Sequence, residues 1–404
     1  MSKKQMNRRT FIGSTTAGLV SAGFGIPKLK ASPRGERNAE ALITRTLGKT
    51  GLEIPVISYG VMNSDSPDLL NQALDMGINH LDTAHVYIRG RSEEVIGEVV
   101  SKRGGRDKVI IGTKMRFNSD RETGQFLSDG NSRAPGATEE GLREQLALSL
   151  KRLQTDYVDI LYIHSCNNAD MVNYEPLMKA IVKVKEEGMA RFIGTSTHSS
   201  EPEVIRATVD AGIYDVVLTA YNFVQEHRDD VKKAIAYAAG KGVGVVAMKT
   251  QGGARYQREN EVNHSAALKW VLQDENVCTT IPGMTTYDQL ELNIKTVTEL
   301  AMSAKEVADI TRGQAMKGIL YCQSCRSCVP TCSRNVSVPD LIRAYMYKEG
   351  YRNPLQARAT IAELPAGKGL DACTSCSSCT AVCRNGIDIP GRIQGLIAEN
   401  MHLG

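Results

Sequence analysis

The sequence predicts an α/β chain: a (β/α)8 TIM barrel followed by a small α-helical domain. Three observations predict it. Between about residues 47 and 300, eight short apolar runs alternate with amphipathic stretches. No Gly-rich phosphate fingerprint follows any of those runs, so a closed barrel fits better than an open dinucleotide-binding sheet. Eight of the ten cysteines then gather near the C-terminus in two runs of one spacing.

The apolar runs are 56–60, 77–82, 109–114, 158–164, 192–196, 216–220, 243–248 and 277–282. Helical patterns such as 139–153, 176–187 and 231–241 lie between them, and strands alternating with helices imply a parallel sheet. The segment 117–137 is long, polar and rich in Gly and Ser. It follows a strand, so it is expected on the catalytic face as a flexible loop over the substrate.

The cysteine runs are Cys322, Cys325, Cys328, Cys332 and Cys373, Cys376, Cys379, Cys383. Both read C-x2-C-x2-C-x3-C, the bacterial ferredoxin spacing that holds a [4Fe–4S] cluster. Zinc and disulfides are the alternatives. Structural zinc takes paired thiolates, which leaves the third cysteine of each run surplus. Disulfides suit small secreted scaffolds, and this chain has the length to build a core without them. Each run continues into a proline at the same offset, Pro339 and Pro390, followed by a helical stretch, 340–348 and 391–399. In two-cluster ferredoxins the fourth cysteine ligates the other cluster. Cys383 is therefore expected to join the first trio and Cys332 the second. The usual proline after the fourth cysteine is replaced by Ser333 and Arg384. The linker between the runs resembles the α-helical ferredoxin domain of respiratory complexes.

The first thirty residues carry Lys3, Lys4, Arg8, Arg9, Lys28 and Lys30 and no acid. Their apolar run, 11–26, is too short and too rich in Gly, Ser and Thr for a membrane span. Asn7-Arg8-Arg9-Thr10-Phe11-Ile12 resembles a twin-arginine export signal, with cleavage expected after Ala31. The alternatives are an ordinary basic N-terminus or a general secretory signal. The twin-arginine resemblance implies export in the folded state to the periplasm or beyond, which suits clusters installed in the cytoplasm. The whole chain has a net charge of +4, and without this leader it falls near −2. With one Trp and six Phe, nothing points to nucleic acid or a membrane surface as partner. The expected organisation is a signal at 1–31, a barrel at 45–305 and a two-cluster domain at 306–404.

Polar residues fall at the C-terminal ends of successive runs, where barrel chemistry resides. Asp82 ends the second run with Tyr87 just beyond, Lys114 ends the third, and His164 ends the fourth. Within 77–97, Asp82-Thr-Ala-x-x-Tyr87 and then Gly90-Arg-Ser-Glu-Glu-x-x-Gly97 resemble the aldo-keto reductase signature. The resemblance spans most of 45–300 and points to members carrying a C-terminal ferredoxin domain. It implies carbonyl–alcohol interconversion, with Tyr87 moving the proton and Asp82 holding Lys114. Lys114 is expected to lower the Tyr87 pKa from about ten toward neutrality. His164 would orient the carbonyl oxygen.

The same resemblance implies a nicotinamide site. Ser196 and Thr197 match the pair that holds the carboxamide, and Tyr221 lies in Ala220-Tyr221-Asn222, where Leu218 replaces the family's glutamine. Met248-Lys249 stands where the family stacks an aromatic ring. Gly283 and Gln289 occupy places where a lysine and an arginine would grip the 2′-phosphate, leaving Gly283 and Asn293 to hold an adenine dinucleotide. A 2′-phosphate wants cations, so the NADPH grip is expected to be weak and any NAD(P) to be bound before export and retained. His85 and His198 sit on rim loops, and Cys166 and Cys278 read as buried small hydrophobes.

Three readings follow. The first is an oxidoreductase of small carbonyls or alcohols, its retained nicotinamide linked through clusters to an external redox partner. The second works without nicotinamide, using another cofactor. The third is a non-catalytic electron-transfer subunit whose barrel is a docking platform.

Overall fold

The structure, a computed structural model, describes residues 42–120, 123–132, 134–252, 263–315 and 322–401. The expected export signal at 1–31 lies outside them. The described chain opens with a hairpin, β1 (Thr44–Thr46) and β2 (Glu53–Pro55). Eight parallel strands follow: β3 (Tyr59–Gly60), β4 (His80–Asp82), β5 (Ile110–Met115), β6 (Val158–Ile163), β7 (Ala190–Thr197), β8 (Val216–Ala220), β9 (Gly244–Met248) and β10 (Thr279–Thr280). They pair in chain order, and bridges from Ile57 to Thr280 and from Gly60 to Gly283 close the barrel.

Helices α1 (Pro67–Asp75), α2 (Arg91–Arg103), α3 (Glu139–Leu153), α4 (Ala169–Val172), α5 (Glu175–Glu186), α6 (Glu201–Asp210), α7 (Arg228–Gly240), α8 (His264–Leu272), α9 (Tyr287–Thr298) and α10 (Ala304–Ala315) surround it. The expected domain boundary at 305/306 falls inside α10. Ile310 of that helix packs with Phe223, Ala266 and Ala267, so the barrel layer runs through α10.

Strand alternation sorts the side chains. Ile110, Ile160, Tyr162, Val216, Leu218 and Val246 point inward and meet Leu47, Leu52 and Ile54 of the hairpin, which plugs the N-terminal end. Val217 and Val245 point outward onto Val231, Ala234 and Ile235 of α7. Tyr162 is the bulkiest inward side chain, and glycines on both neighbouring strands make room for it. A Cβ at Gly112 would sit 3.3 Å from its ring. One at Gly194 would sit 3.0 Å from the ring and 2.3 Å from the Val216 carbonyl oxygen.

The C-terminal domain comprises α11 (Val338–Tyr345), continued by a π-helical turn (Met346–Gly350), then α12 (Pro354–Ala362), α13 (Leu370–Thr374) and α14 (Ile389–Ala398). Pro339 and Pro390 stand in the first turns of α11 and α14, as the internal repeat predicts. Leu341, Ile342, Leu370, Ile389, Ile393 and Leu396 form its core. Among the described residues no helix is long and apolar enough to cross a membrane.

The loop 117–137 departs from expectation. Phe117 and Phe126 are buried and stack edge to face at 6.0 Å, and Phe126 meets Tyr174 at 5.6 Å. Phe117, Phe126 and Ala137 join the barrel core while residues 127–132 are exposed, and none of the described loop residues lines the cleft. Two buried aromatics anchor it, a signal its polar composition hides.

Gly194→Ala forces a methyl into backbone that has nowhere to go. It should destabilise the fold by about 1–3 kcal/mol, the usual cost of overpacking. Denaturant titration checks this, and an unchanged midpoint would show that the inner layer is looser than described.

Candidate active site

The strand register assembles the quartet. Asp82 pairs with Gly112, so Lys114, two residues further along β5, stands diagonally above Asp82 on the same inward face. Lys114 pairs in turn with Tyr162, and His164 lies two residues past Tyr162. Three polar residues thus rise in a staircase at the C-terminal rim, each sharing the inward parity of the apolar stack beneath it.

Lys114 Nζ donates to Asp82 Oδ1 at 2.5 Å and to the Thr83 carbonyl at 2.6 Å. Only 1% of the lysine side chain and 2% of the aspartate is exposed. Burial pushes Asp82 up and Lys114 down, and their mutual contact opposes both shifts. The close contact with Asp82 and the bond to the Thr83 carbonyl offset part of the hydration the ammonium loses.

Tyr87 follows β4 in a tight turn where Ile88 and Arg89 adopt left-handed conformations, with φ of 48° and 55°. A β-branched residue there is strained, so the surroundings must hold it. Arg152 does much of this, donating to the His85 carbonyl at 2.9 Å and to Glu93 at 3.2 Å, while Glu93 also accepts from Thr113 at 2.7 Å. A Cβ at Gly90 would lie 2.3 Å from the Arg152 guanidinium carbon, so only glycine fits. Glu93 and Arg152 were not singled out as site residues in the sequence. Glu93 falls within the quoted motif, whereas nothing local marks Arg152.

The Tyr87 ring lies 5.0 Å from Lys114 Nζ and meets the His164 ring edge to face at 5.9 Å. Its hydroxyl pKa is raised well above the usual tyrosine value, first by burial and then by Asp82, Tyr347 and Tyr351. The shift runs opposite to the expected fall toward neutrality, because desolvation of the phenolate is its largest cause. His164 is held well below the usual histidine range by burial, then by Lys114, Arg116 and Lys249, so it is neutral. Its Nδ1 is buried and unpartnered within the protein.

A cleft of about 230 Å³ runs from Asp82 and Tyr87 past Lys249 to Gly283 and Asn293. Gly283 has no heavy atom within 3.7 Å of where a Cβ would stand, its nearest neighbours being at 3.8 Å. Ser196 and Thr197 are buried at the end of β7, and Ser196 Oγ accepts from the Ser165 N–H at 3.0 Å. Tyr221 is a correction. It shares the outward parity of Val217 and stacks on Trp270 at 5.0 Å, away from the cleft. Its neighbour Asn222 is fully buried, with Nδ2 unpartnered. Gln289 accepts from the Thr285 N–H at 2.8 Å and so completes a turn before α9. The open Gly283 cradle and the unpartnered donors of the rim fit a nicotinamide dinucleotide. Among the described lining residues the basic side chains are Lys249, His264 and Arg352.

The mouth is closed by the helical domain, through contacts the sequence did not announce. Lys249 Nζ lies 5.4 Å from the centre of the Tyr347 ring and 4.9 Å from that of Tyr351. Arg116 makes two hydrogen bonds to Glu363, at 2.8 and 2.6 Å, and Asn353 donates to Asn63 at 2.8 Å. His85 turns back to Ser149 at 3.0 Å, whereas half-buried His198 lies near Arg343 and Lys249 with its shielded Nδ1 unpartnered. Cys166 and Cys278 are buried among apolar side chains.

The eight clustered thiols are all free, and they group as the repeat predicts. Burial pushes Cys328 up to about 12, followed by the charges of Cys322, Cys383 and Cys325. Cys373 is pushed up to about 12 by burial and then by Cys332, Cys376 and Cys379. Each quartet therefore takes its fourth member from the other run. Among the described residues no three His, Cys, Asp or Glu groups converge tightly enough for a single metal ion. Four thiols per set at the ferredoxin spacing fit a polynuclear iron–sulfur cluster.

Barrel, rim quartet and cleft define a class, an oxidoreductase built on a TIM barrel. The model of the aldo/keto reductase family matches residues 58–266, over half of the chain, and the protein belongs to that family. A 4Fe-4S dicluster domain matches residues 321–387. The chain is similar to an uncharacterized oxidoreductase, YqkF, of Bacillus subtilis, with 26% identity covering 65% of this chain and 94% of the relative. It is also similar to L-galactose dehydrogenase of Arabidopsis thaliana, with 27% identity covering 63% and 88%. A probable voltage-gated potassium channel subunit beta of Oryza sativa is 26% identical over 66% of this chain and 94% of its own length. Among solved structures, the fold matches the holo form of aldo-keto reductase AKR11C1 from Bacillus halodurans, with a TM-score of 0.55, 23% identity and coverage of 67% and 96%.

Burial, then Arg343 and Lys114, bring Lys249 down to about 7. The unfolded chain binds this proton below about pH 10, the folded one only below about 7. Between those limits the unfolded state holds more protons, so this group's contribution to stability rises with pH. Wild type should gain on Lys249→Met in urea midpoint between pH 7 and 10. A constant difference across that range would contradict the burial of this ammonium.

Proposed function

We propose that this chain is an exported oxidoreductase that interconverts a small alcohol and its carbonyl, with a retained nicotinamide dinucleotide in the barrel and two [4Fe–4S] clusters in the helical domain. The observation that carries the reading is the complete quartet, with its Lys114–Asp82 pair buried, beneath a domain that bears two crossed thiol quartets. When bound, the dinucleotide supplies hydride transfer and the clusters supply one-electron transfer. Cys322, Cys325, Cys328 and Cys383 would hold one cluster; Cys332, Cys373, Cys376 and Cys379 would hold the other. Gly283, Asn293 and Lys249 line the cleft that would take the dinucleotide. Ser196 and Thr197 at the end of β7 are assigned to its carboxamide by the family resemblance alone, and the scarcity of cations near Gly283 favours NAD over NADP.

The chain's own groups manage the oxygen and its proton. In reduction, neutral His164 donates a hydrogen bond to the carbonyl oxygen, and Tyr87 gives that oxygen its proton as the carbon takes hydride. Lys114 then stabilises the phenolate, and Asp82 keeps Lys114 charged and in place. In oxidation the same steps reverse and Tyr87 must first lose its proton. Because burial raises the Tyr87 pKa, the oxidative rate should climb with pH throughout the alkaline assay range, while reduction stays level near neutrality. A plateau of the oxidative rate near pH 7 would contradict this assignment.

Tyr87→Phe removes the proton donor assigned to the task. Turnover should fall about 10²–10⁴-fold, the usual worth of general acid–base catalysis, with iron–sulfur absorbance unchanged. Activity equal to wild type would sink the catalytic reading. It would favour a second one, a barrel used for docking, which the relatives named as potassium channel β-subunits support. Export rests on Arg8-Arg9 in the N-terminal segment. Replacing both arginines by lysine should leave the full-length protein in the cytoplasm of its host, as cell fractionation would read, and undiminished export would refute the twin-arginine route.

A further inference from the structure

One element crosses from the cysteines to the cleft: α11 with its π turn. Arg343, Tyr347 and Tyr351 stand four residues apart along it and share one face. At one end, Arg343 Nη2 donates to Ser324 Oγ, the hydroxyl between Cys322 and Cys325. At the other, Tyr347 and Tyr351 stand 5.6 Å apart, both beside the Lys249 ammonium. Lys249 lines the same cleft as Tyr87. A π turn carries one residue more than an α-turn, and such turns recur at functional sites. Here it brings two successive tyrosines to one cation.

The residues flanking this thiol quartet also face the barrel. Gln323 accepts from the Glu226 N–H at 3.2 Å and donates to the Val224 carbonyl at 3.4 Å, and Arg384, next to Cys383, bonds Glu226 at 2.9 Å. The other quartet is tied within the helical domain. Thr380 Oγ1 donates to the Thr331 carbonyl at 2.8 Å and accepts from the Ser333 N–H at 3.0 Å. Cys379 of that quartet is exposed, as is Cys325 of the first.

We propose that Arg343 is the charge that couples the catalytic cleft to the quartet Cys322, Cys325, Cys328 and Cys383, making that quartet the site-facing one and the quartet Cys332, Cys373, Cys376 and Cys379 the outward-facing one. The inference rests on the reading of both quartets as [4Fe–4S] ligands. Reduction adds one electron, and so one negative charge, to a cluster held by four thiolates. A guanidinium bonded to the ligand loop favours that reduced state and raises the reduction potential of its own cluster far more than that of the other, because Coulomb energy falls with distance. The carboxylates of Asp340 and Glu363 also face Tyr347, so Arg343 acts against them as well as with Lys249. Arg343 is a positioning residue, since its guanidinium acts through the ligand loop and not on substrate.

The test is a dithionite titration of the anaerobically purified full chain, followed by electron paramagnetic resonance. Wild type should give two signals with separate midpoints. Arg343→Gln should move one midpoint to more negative potential and leave the other in place, and Arg343→Lys should recover most of the shift. Cys325→Ser should perturb the same signal that Arg343→Gln moves, and Cys379→Ser the other. Should Arg343→Gln lose iron, Lys249→Met, which leaves both cysteine loops intact, should still lower the same midpoint by a smaller step. Two clusters with midpoints indifferent to both variants, or a shift in the signal that Cys379→Ser perturbs, would overturn the inference alone. Wild-type protein without iron and sulfide would overturn the cluster reading first and this inference with it.

Discussion

The site depends on one buried ion pair. Lys114 and Asp82 meet at 2.5 Å with almost no access to water. Removing two charges from water costs several kcal/mol each, and only close, well-aligned contact repays it. That contact exists because Asp82 pairs with Gly112 and not with a bulkier residue, so that the next inward side chain on β5 reaches diagonally to the carboxylate. Gly112 and Gly194 in turn admit Tyr162, which fills the barrel below. The catalytic rim is therefore set by the packing of the layer beneath it.

The site is narrowed by its cover. In a barrel enzyme the loops after the strands supply specificity, and 117–137 looked suited to that task. Its aromatics instead fasten it to the barrel wall, and the domain that carries the cysteines closes the mouth with Tyr347, Tyr351 and the Arg116–Glu363 pair. The same closure explains three shifts of one origin: Tyr87 up, His164 down and Lys249 down, each with burial as its largest cause. A neutral histidine and a protonated tyrosine are the forms that carbonyl reduction needs. Closure also sets the two-electron site next to groups suited to single electrons, which is the step the proposed chemistry has to bridge.

Much of this was legible in the chain. All eight barrel strands fall within or overlap the apolar runs, because a strand buried on both faces leaves a continuous apolar signal. Asp82, Lys114 and His164 are readable as strand ends, and the crossed quartets follow from the repeat. Tyr221 was misplaced because a motif names residues without fixing parity, and counting from Val217 puts it outside. The direction of the Tyr87 shift was missed because sequence shows the nearby lysine but not the depth of burial. Arg152, Arg343, Tyr347 and Glu363 had no local signal, since each acts through contacts distant in sequence or across the two domains.

The central claim is that one chain joins a nicotinamide-dependent carbonyl site to a pair of iron–sulfur clusters. Anaerobic purification of the full chain, with iron, acid-labile sulfide and the organic cofactor released on denaturation all measured on the same sample, tests it most directly. The account predicts about eight irons and as many sulfides per chain, as two [4Fe–4S] cubanes require, together with a released nicotinamide dinucleotide. Zinc in place of iron, or a flavin in place of the dinucleotide, would contradict it.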